Sequence, residues 1–365
     1  MSGNSQDIAP SGLRAEIRYR DDGKYTMYGI SLSWQVGENS PDQGIWPPPA
    51  DWDQGNAPYP RVYEVWLNDE LRQTVFLHWS AWNWMQSNSH WVDLGDVEPQ
   101  GLFHVKIRAK VGDQFTPFTN TVTIGSERIC VCKWSVRQPR RRAPRASGPA
   151  RVDPRHGTAN HPRSRAGAAI RDLDSSRICV EARRMINSGE WAEVVPGAAR
   201  MLADYPWNHA QKYLEFRKFF EEGALASVGN PVFRGLDLAP DDTVGDWPLT
   251  ELDTSAPTQT FTYDYMAYHW GETWSHRWFI TRSDWDPSEG LSWQDLEPIP
   301  FLVEVHGSPR EEESTSWEFA SFPRRTGRAA IVNVWGGHGG PDTPNGENGG
   351  KTGEFFLSTC DVNLR

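Results

Sequence analysis

At 365 residues the chain is longer than one hydrophobic core usually supports, so two or three domains are expected. Its 19 Trp, 15 Phe and 10 Tyr, beside 32 Gly and 27 Pro, favour β-sandwiches with long loops over helical bundles. A net charge of -11, a mean hydropathy of -0.64 and no apolar run near the length of a bilayer crossing exclude a nucleic-acid-binding body and a membrane span as expectations.

The charge is unevenly placed. Residues 133–155 carry eight bases and one acid, net +7, which leaves -18 for the remainder. A solvated linker explains that run better than a docking site for an acidic partner. The opening "MSGNSQDIAPSGLRAEIRYR" has no charged region, apolar stretch and small-residue cleavage site in sequence, so this chain offers no support for export by a leader. Cys130, Cys132, Cys179 and Cys360 are too few and too scattered for a disulfide framework, and the one-residue spacing of Cys130 and Cys132 is poor for a mutual bridge.

Residues 1–13 read as a tail and 14–126 as a first domain. Within it "ISLSWQV" (30–36), "RVYEVWLND" (61–69), "TVFLHW" (74–79), "LFHVKIRAKV" (102–111) and "NTVTI" (120–124) alternate with period two between Pro- and Gly-rich turns, as half-buried strands of a sandwich do. With Trp34 in an early strand and "VEPQGLFHVKIRA" in the place of a late strand and its turn, the segment resembles a fibronectin type III domain. Phe103 stands where that family usually has a corner tyrosine. Residues 127–155 lose both periodicities and are expected to be an exposed, protease-accessible linker.

Beyond the linker, "SSRICVEARRMIN" (175–187) puts Ile178, Ala182, Met185 and Ile186 on one helical face, and "HAQKYLEFRKFFEEG" (209–223) stacks Tyr213, Phe216 and Phe220. Both stripes read as packing. Strand patterns return in "FTYDYMAYHW", "HRWFITR", "FLVEVHG", "RAAIVNVW" and "EFFLSTCDVNL". The fold class expected is therefore all-β with a helical insertion, as two sandwiches joined by a basic linker.

Residues 156–365 resemble the chitin-binding type-4 domain, the fold of family-10 lytic polysaccharide monooxygenases. The resemblance rests on "HGTANHPRSR" at the opening, "ALASVGNPVFRGLDL", "DWPLTEL", the long block "FTYDYMAYHWGETWSHRWFITRSDWDPSEGLSWQDLEPIPF", and the closing "RTGRAAIVNVW" and "FFLSTCDVNL". It implies one copper ion in a histidine brace: the amino and ring nitrogens of His156, the ring of His269, and Phe356 as the buried axial neighbour. Three neutral nitrogens suit copper in both oxidation states and leave room for an oxygen species. His276 competes with His269, because "HWGETWSH" is about two residues longer than the usual spacing of the family. Phe355 exchanges with Phe356 if the strand register slips. Arg165 reads as a structural ion pair.

Three departures from the family pattern bear on activity. His156 follows Arg155, so its nitrogen is an amide and a poor copper donor. The family's cysteines near "PRSR" and at Ala226 are absent. The stretch "GGHGGPDTPNGENGGKTGE" (336–354) lengthens a loop in which His338 reads as a loop residue. Within it "NGENGGKT" is one letter from a phosphate-cradling motif, but leads into the last strand and has no room for a helix.

Two functions follow as expectations. One is a copper-dependent oxidoreductase acting on insoluble chitin or cellulose, fed by an external electron donor or peroxide, extracellular and monomeric. It becomes competent once a trypsin-like protease cuts after Arg155, which would also release the first domain. The other is a non-catalytic polysaccharide-binding protein, with Trp191, Tyr205 and Trp207 in the helical insertion as candidate sugar-stacking rings or as mere packing. No nucleic-acid or membrane partner is expected.

Overall fold

A computed structural model describes residues 9–21, 26–36, 62–77, 89–95, 98–111, 114–125, 130–131, 157–186, 198–202, 223–229, 231–265, 273–306, 314–338 and 353–365. The expected helix at 209–223, all but its last residue, and the motif "NGENGGKT" fall outside them. Among the described residues no helix is long and apolar enough to cross a membrane.

The first sandwich is built from β1 (Pro10–Asp21), β2 (Thr26–Val36), β3 (Val62–Leu67), β4 (Glu70–Leu77), β5 (Ser89–Gly95), β6 (Leu102–Val111), β7 (Gln114–Phe115), β8 (Val122–Gly125) and β9 (Cys130–Val131). One sheet runs β5-β2-β1-β9; in the other β4, β3 and β6 follow in order, with β7 and β8 both pairing β6. Alternate residues meet between the sheets: Ile17, Ile30, Leu32, Trp34 and Val92 from one face Tyr63, Val65, Val75, Val105 and Ile107 from the other. Trp34 and Tyr63 lie with ring centroids 5.2 Å apart. Phe103 packs at the margin of this core. Cys130 and Val131, within the stretch expected to be linker, pair in parallel with Arg18 and Tyr19.

The second sandwich contains β10 (Gly157–His161), α1 (Arg177–Met185), β11 (Ala198–Leu202), β12 (Thr250–Leu252), β13 (Gln259–Tyr265), β14 (Thr273–Ile280), β15 (Leu302–His306), β16 (Ser314–Phe319), β17 (Gly327–His338) and β18 (Gly353–Leu364). A three-stranded sheet, β10-β13-β16, faces a larger one running β11-β18-β17-β14-β15. β17 shows how the sequence makes the layers. Ala329, Ile331 and Trp335 point into the aromatic core with Phe261, Tyr263 and Trp317, whereas Ala330, Val332 and Val334 point to the opposite face and pack under α1.

In α1 the buried positions are Ile178, Cys179 and Ala182, followed by Ile186, so Cys179 takes the place expected for Met185. Arg183 and Arg184 in its last turn suit the negative end of the helix dipole. The short 3-10 stretch Pro231–Asp237 crosses this helix closely enough that a Cβ on Gly235 would enter the Ala182 backbone, so only glycine fits there.

Two expectations change. The segment read as a helical insertion contains β11, whose residues pair antiparallel with Leu357 to Gly353 and satisfy an edge that β18 would otherwise leave open. His338, expected in a loop, is the last residue of β17 and pairs with Thr273 and Gly353, because the ladders of β14 and β18 both continue to that point.

The two sandwiches share a sheet. β15 pairs in parallel with β4, which makes one continuous eleven-stranded sheet from β11 to β7.

Candidate metal centre

The "PRSR" motif fixes the start of the second domain. Ser164 shares a hydrogen bond with Thr158 at 2.6 Å and accepts the Gly167 N–H at 2.8 Å, tying β10 to the π-helical turn Gly167–Arg171. The Arg165 guanidinium donates to both carboxylate oxygens of Asp361 at 2.7 and 3.1 Å and to Leu236 O at 2.9 Å, with Trp247 beneath it. The pair is buried, as its structural reading requires. The Ala159 N–H donates to Ser358 Oγ at 3.0 Å, setting β10 against β18.

These constraints lead to one end of the sandwich. Gly157, directly after His156, pairs with Tyr265, the last described residue before the segment holding His269. A Cβ on Gly157 would strike the Tyr263 ring and lie 2.8 Å from Asp264 O, so the chain can pass here only as glycine. Phe356 is fully buried against Trp335, centroids 4.9 Å apart, and Trp335 stacks on His276 at an interplanar angle of 6°. His276 Nε2 is hydrogen-bonded with the Tyr265 hydroxyl at 2.7 Å, and its Nδ1 lies 3.3 Å from Asn333 Oδ1.

His156, His269, Trp191, Tyr205 and Trp207 lie outside the described residues. Phe356 lies within them, in the buried row of β18 with Ser358 and Cys360. His276 is a core residue enclosed by Tyr263, Tyr265, Trp317 and Trp335. Its alternation with Trp278 and Ile280 is a sequence signal for that inward face, and the hydrogen-bonded trio with Tyr265 and Asn333 is the feature sequence reasoning missed.

Among the described residues no group of three His, Cys, Asp or Glu side chains gathers to hold a metal. The described side chains next to Gly157 and Phe356 are aromatic, namely Tyr263, Tyr265 and Trp335, and supply no carboxylate or thiolate donor. Burial pushes the Tyr263 phenol and the Cys360 thiol well above their usual values, so neither offers an anionic donor. Phe356 brings no polar atom.

The sheet order and the buried Arg165–Asp361 pair define a two-sheet β-sandwich. The chain belongs to the family described as lytic polysaccharide mono-oxygenase, cellulose-degrading, whose model matches residues 156–362, more than half of its length. Over 148 residues it is 30% identical to the chitin-binding protein CbpD of Pseudomonas aeruginosa, covering 40% of this chain and 36% of that one. Over 127 residues it is 32% identical to a lytic cellulose monooxygenase of Streptomyces ambofaciens, covering 32% of each. The chain thus spans about a third of the length of these relatives. A solved lytic polysaccharide monooxygenase important for chitin utilization in Cellvibrio japonicus is 24% identical, with a TM-score of 0.39 over 57% of this chain and 99% of that one.

Proposed function

We propose that residues 156–365 form a copper-dependent monooxygenase that cleaves chitin or cellulose oxidatively outside the cell, once His156 has become an N-terminus. The observation that carries this reading is the pairing of Gly157 with Tyr265, which puts the residue after His156 beside one four positions before His269 on one ladder.

His156 would contribute its amine and ring, His269 its ring, and Phe356 the apolar neighbour. Copper bound there would supply one-electron chemistry toward oxygen or peroxide, with electrons from an external donor. In the uncut chain the His156 nitrogen is an amide, a poor copper donor because its N–H proton must first be displaced. A cut after Arg155 turns it into an amine with a pKa of about 8, whose proton copper can displace at neutral pH. Phe356, packed on Trp335, would form the apolar inner side of the site, with His276, held by Tyr265 and Asn333, stacked on Trp335 beneath it. Trp191, Tyr205 and Trp207 are the candidate rings for stacking on sugar faces.

The first domain is read as fibronectin type III-like, a spacer or binding module spanning 14–126, with 127–155 as linker. Its arrangement of β5-β2-β1 against β4-β3-β6-β8 supports that reading.

The test is a protease-matured sample whose second chain begins at His156. It is expected to bind one copper tightly and to release oxidised oligosaccharides from chitin or cellulose, and the uncut chain is expected to do neither. Equal oxidation by the uncut chain would refute the maturation step. One feature favours a second reading, a non-catalytic polysaccharide-binding protein: the peptide bond joining Arg155 to His156 removes a copper donor. Retention on insoluble chitin or cellulose that ignores a chelator, without oxidised products from the cut form, would select it.

A further inference from the structure

The two sandwiches are joined twice, by the covalent linker and by the seam between β4 and β15. At the seam four residue pairs run in parallel register, from Thr74 beside Leu302 to Leu77 beside Val305. The Thr74 N–H donates to Phe301 O at 3.2 Å, and the Gln73 side-chain amide donates to Pro300 O at 2.8 Å. Gln73 and Thr74 are both buried. Apolar side chains cross in each direction: Phe76 packs on the core of the second sandwich and Ile299 on the core of the first.

This is strand addition, in which main-chain hydrogen bonds supply affinity and alternating side chains supply fit. Without β4, β15 would be an apolar edge strand with open backbone donors and acceptors, the kind of edge that pairs with other chains. Every contact named lies outside residues 132–156, so a cut in that stretch breaks none of them.

Resting on the maturation reading for the cut itself, we propose that cleavage of the linker does not release the first domain. It stays seated on β15 as a separate chain, and the working protein is a non-covalent pair in which the first domain caps the sheet edge of the second. The first domain is thus a bound subunit after maturation, and its departure would expose Leu302, Val303 and the β15 backbone together.

The experiment places a site-specific protease sequence within 133–150 of the full-length chain, cuts it, and follows the fragments by size-exclusion chromatography and native mass spectrometry at about 10 μM. One peak holding both fragments in equal number is the expected result. Two separately eluting fragments that each keep their circular dichroism would overturn the proposal.

Thr74→Pro, which deletes the donor to Phe301 O, is expected to part the cut fragments. Gln73→Ala, a milder change, is expected to speed their dissociation about tenfold, as the loss of one buried hydrogen bond implies. A cut pair that persists undiminished in both variants would mean that the chains are held elsewhere, and would sink the assignment to this seam. Copper titration of the same samples reads the metal site separately: fragments that co-elute without binding copper fault the monooxygenase reading and leave the docking intact.

Discussion

Arg165 concentrates much of the second domain's architecture in one side chain. Its guanidinium joins the start of the domain to Asp361 on the last strand, to the Leu236 carbonyl and to the Trp247 ring, and Asp361 also accepts from Arg328 at 3.1 Å. In a buried pair, removing one partner leaves the other charge without compensation, and that penalty exceeds the net worth of the pair. Arg165→Met retains most of the stem but strands Asp361 with Arg328 alone. The expected loss is about 3–5 kcal/mol of unfolding free energy, read from the urea midpoint. A loss below about 1 kcal/mol would mean that Arg328 suffices and that the "PRSR" arginine is a surface-like contact. His276 illustrates the opposite case, a polar ring made tolerable in the core because both its nitrogens face partners, Tyr265 and Asn333.

Among the elements, β10 has the largest task for its length. Five residues carry the backbone next to His156 up to its pairing with β13, and the strand is held in place through Ser164 and Ser358. Ser164→Ala removes the partner of the Thr158 hydroxyl and of the Gly167 N–H together, both in buried surroundings. A loss of about 2–3 kcal/mol is expected in chemical unfolding, and in the matured form a weaker copper affinity should accompany it as β10 loosens. Unchanged affinity at reduced stability would uncouple the motif from the site. The elements legible in the sequence are those whose period is plain: β2 in "ISLSWQV", β6 in "LFHVKIRAKV", β17 in "RAAIVNVW" and α1 in "RICVEARRM". Strand β11 was not, because "AARML" has no period-two contrast and owes its form to the open edge of β18. Phe356 was named through its distance from Asp361 in the resemblance; the structure buries it on the same face as Cys360, with Leu357 on the other, in a stretch whose residues are all buried. The histidine flanks show the limit of such reasoning: the motif names His156, whereas the need for glycine at 157 comes from the Tyr263 ring across the ladder.

At the scale of the whole molecule the seam decides how the protein behaves, and nothing in the alternation of β4 or β15 specifies their union. "LVEVH" reads equally as an outer strand of either sandwich, and a sheet edge selects its neighbour by shape and register that only the folded chain possesses. His90 of β5 sits at this seam: its Nε2 is hydrogen-bonded with Gln73 Oε1, and Gln73 in turn holds Pro300 O of the second domain. Burial, with a further contribution from the Arg277 guanidinium of β14, pulls His90 down from 6.5 to about 3. Its value in the folded protein therefore lies below its unfolded value, so folding favours the neutral ring, and the part due to Arg277 of β14 is made across the seam. The stabilisation is whole above pH 6.5 and is lost progressively as pH falls toward 3, where the ring must take up a proton beside Arg277. Small-angle scattering or the dissociation rate of the cut fragments, followed downward from neutral pH, is expected to show the seam loosening below pH 6.5, a window in which Asp237, pushed up to about 6 by burial, also titrates. His90→Gln keeps a hydrogen-bonding side chain without a titrating proton and should flatten that decline. An unaltered decline in the variant would assign the acid sensitivity to other groups and leave His90 as a passive member of the seam.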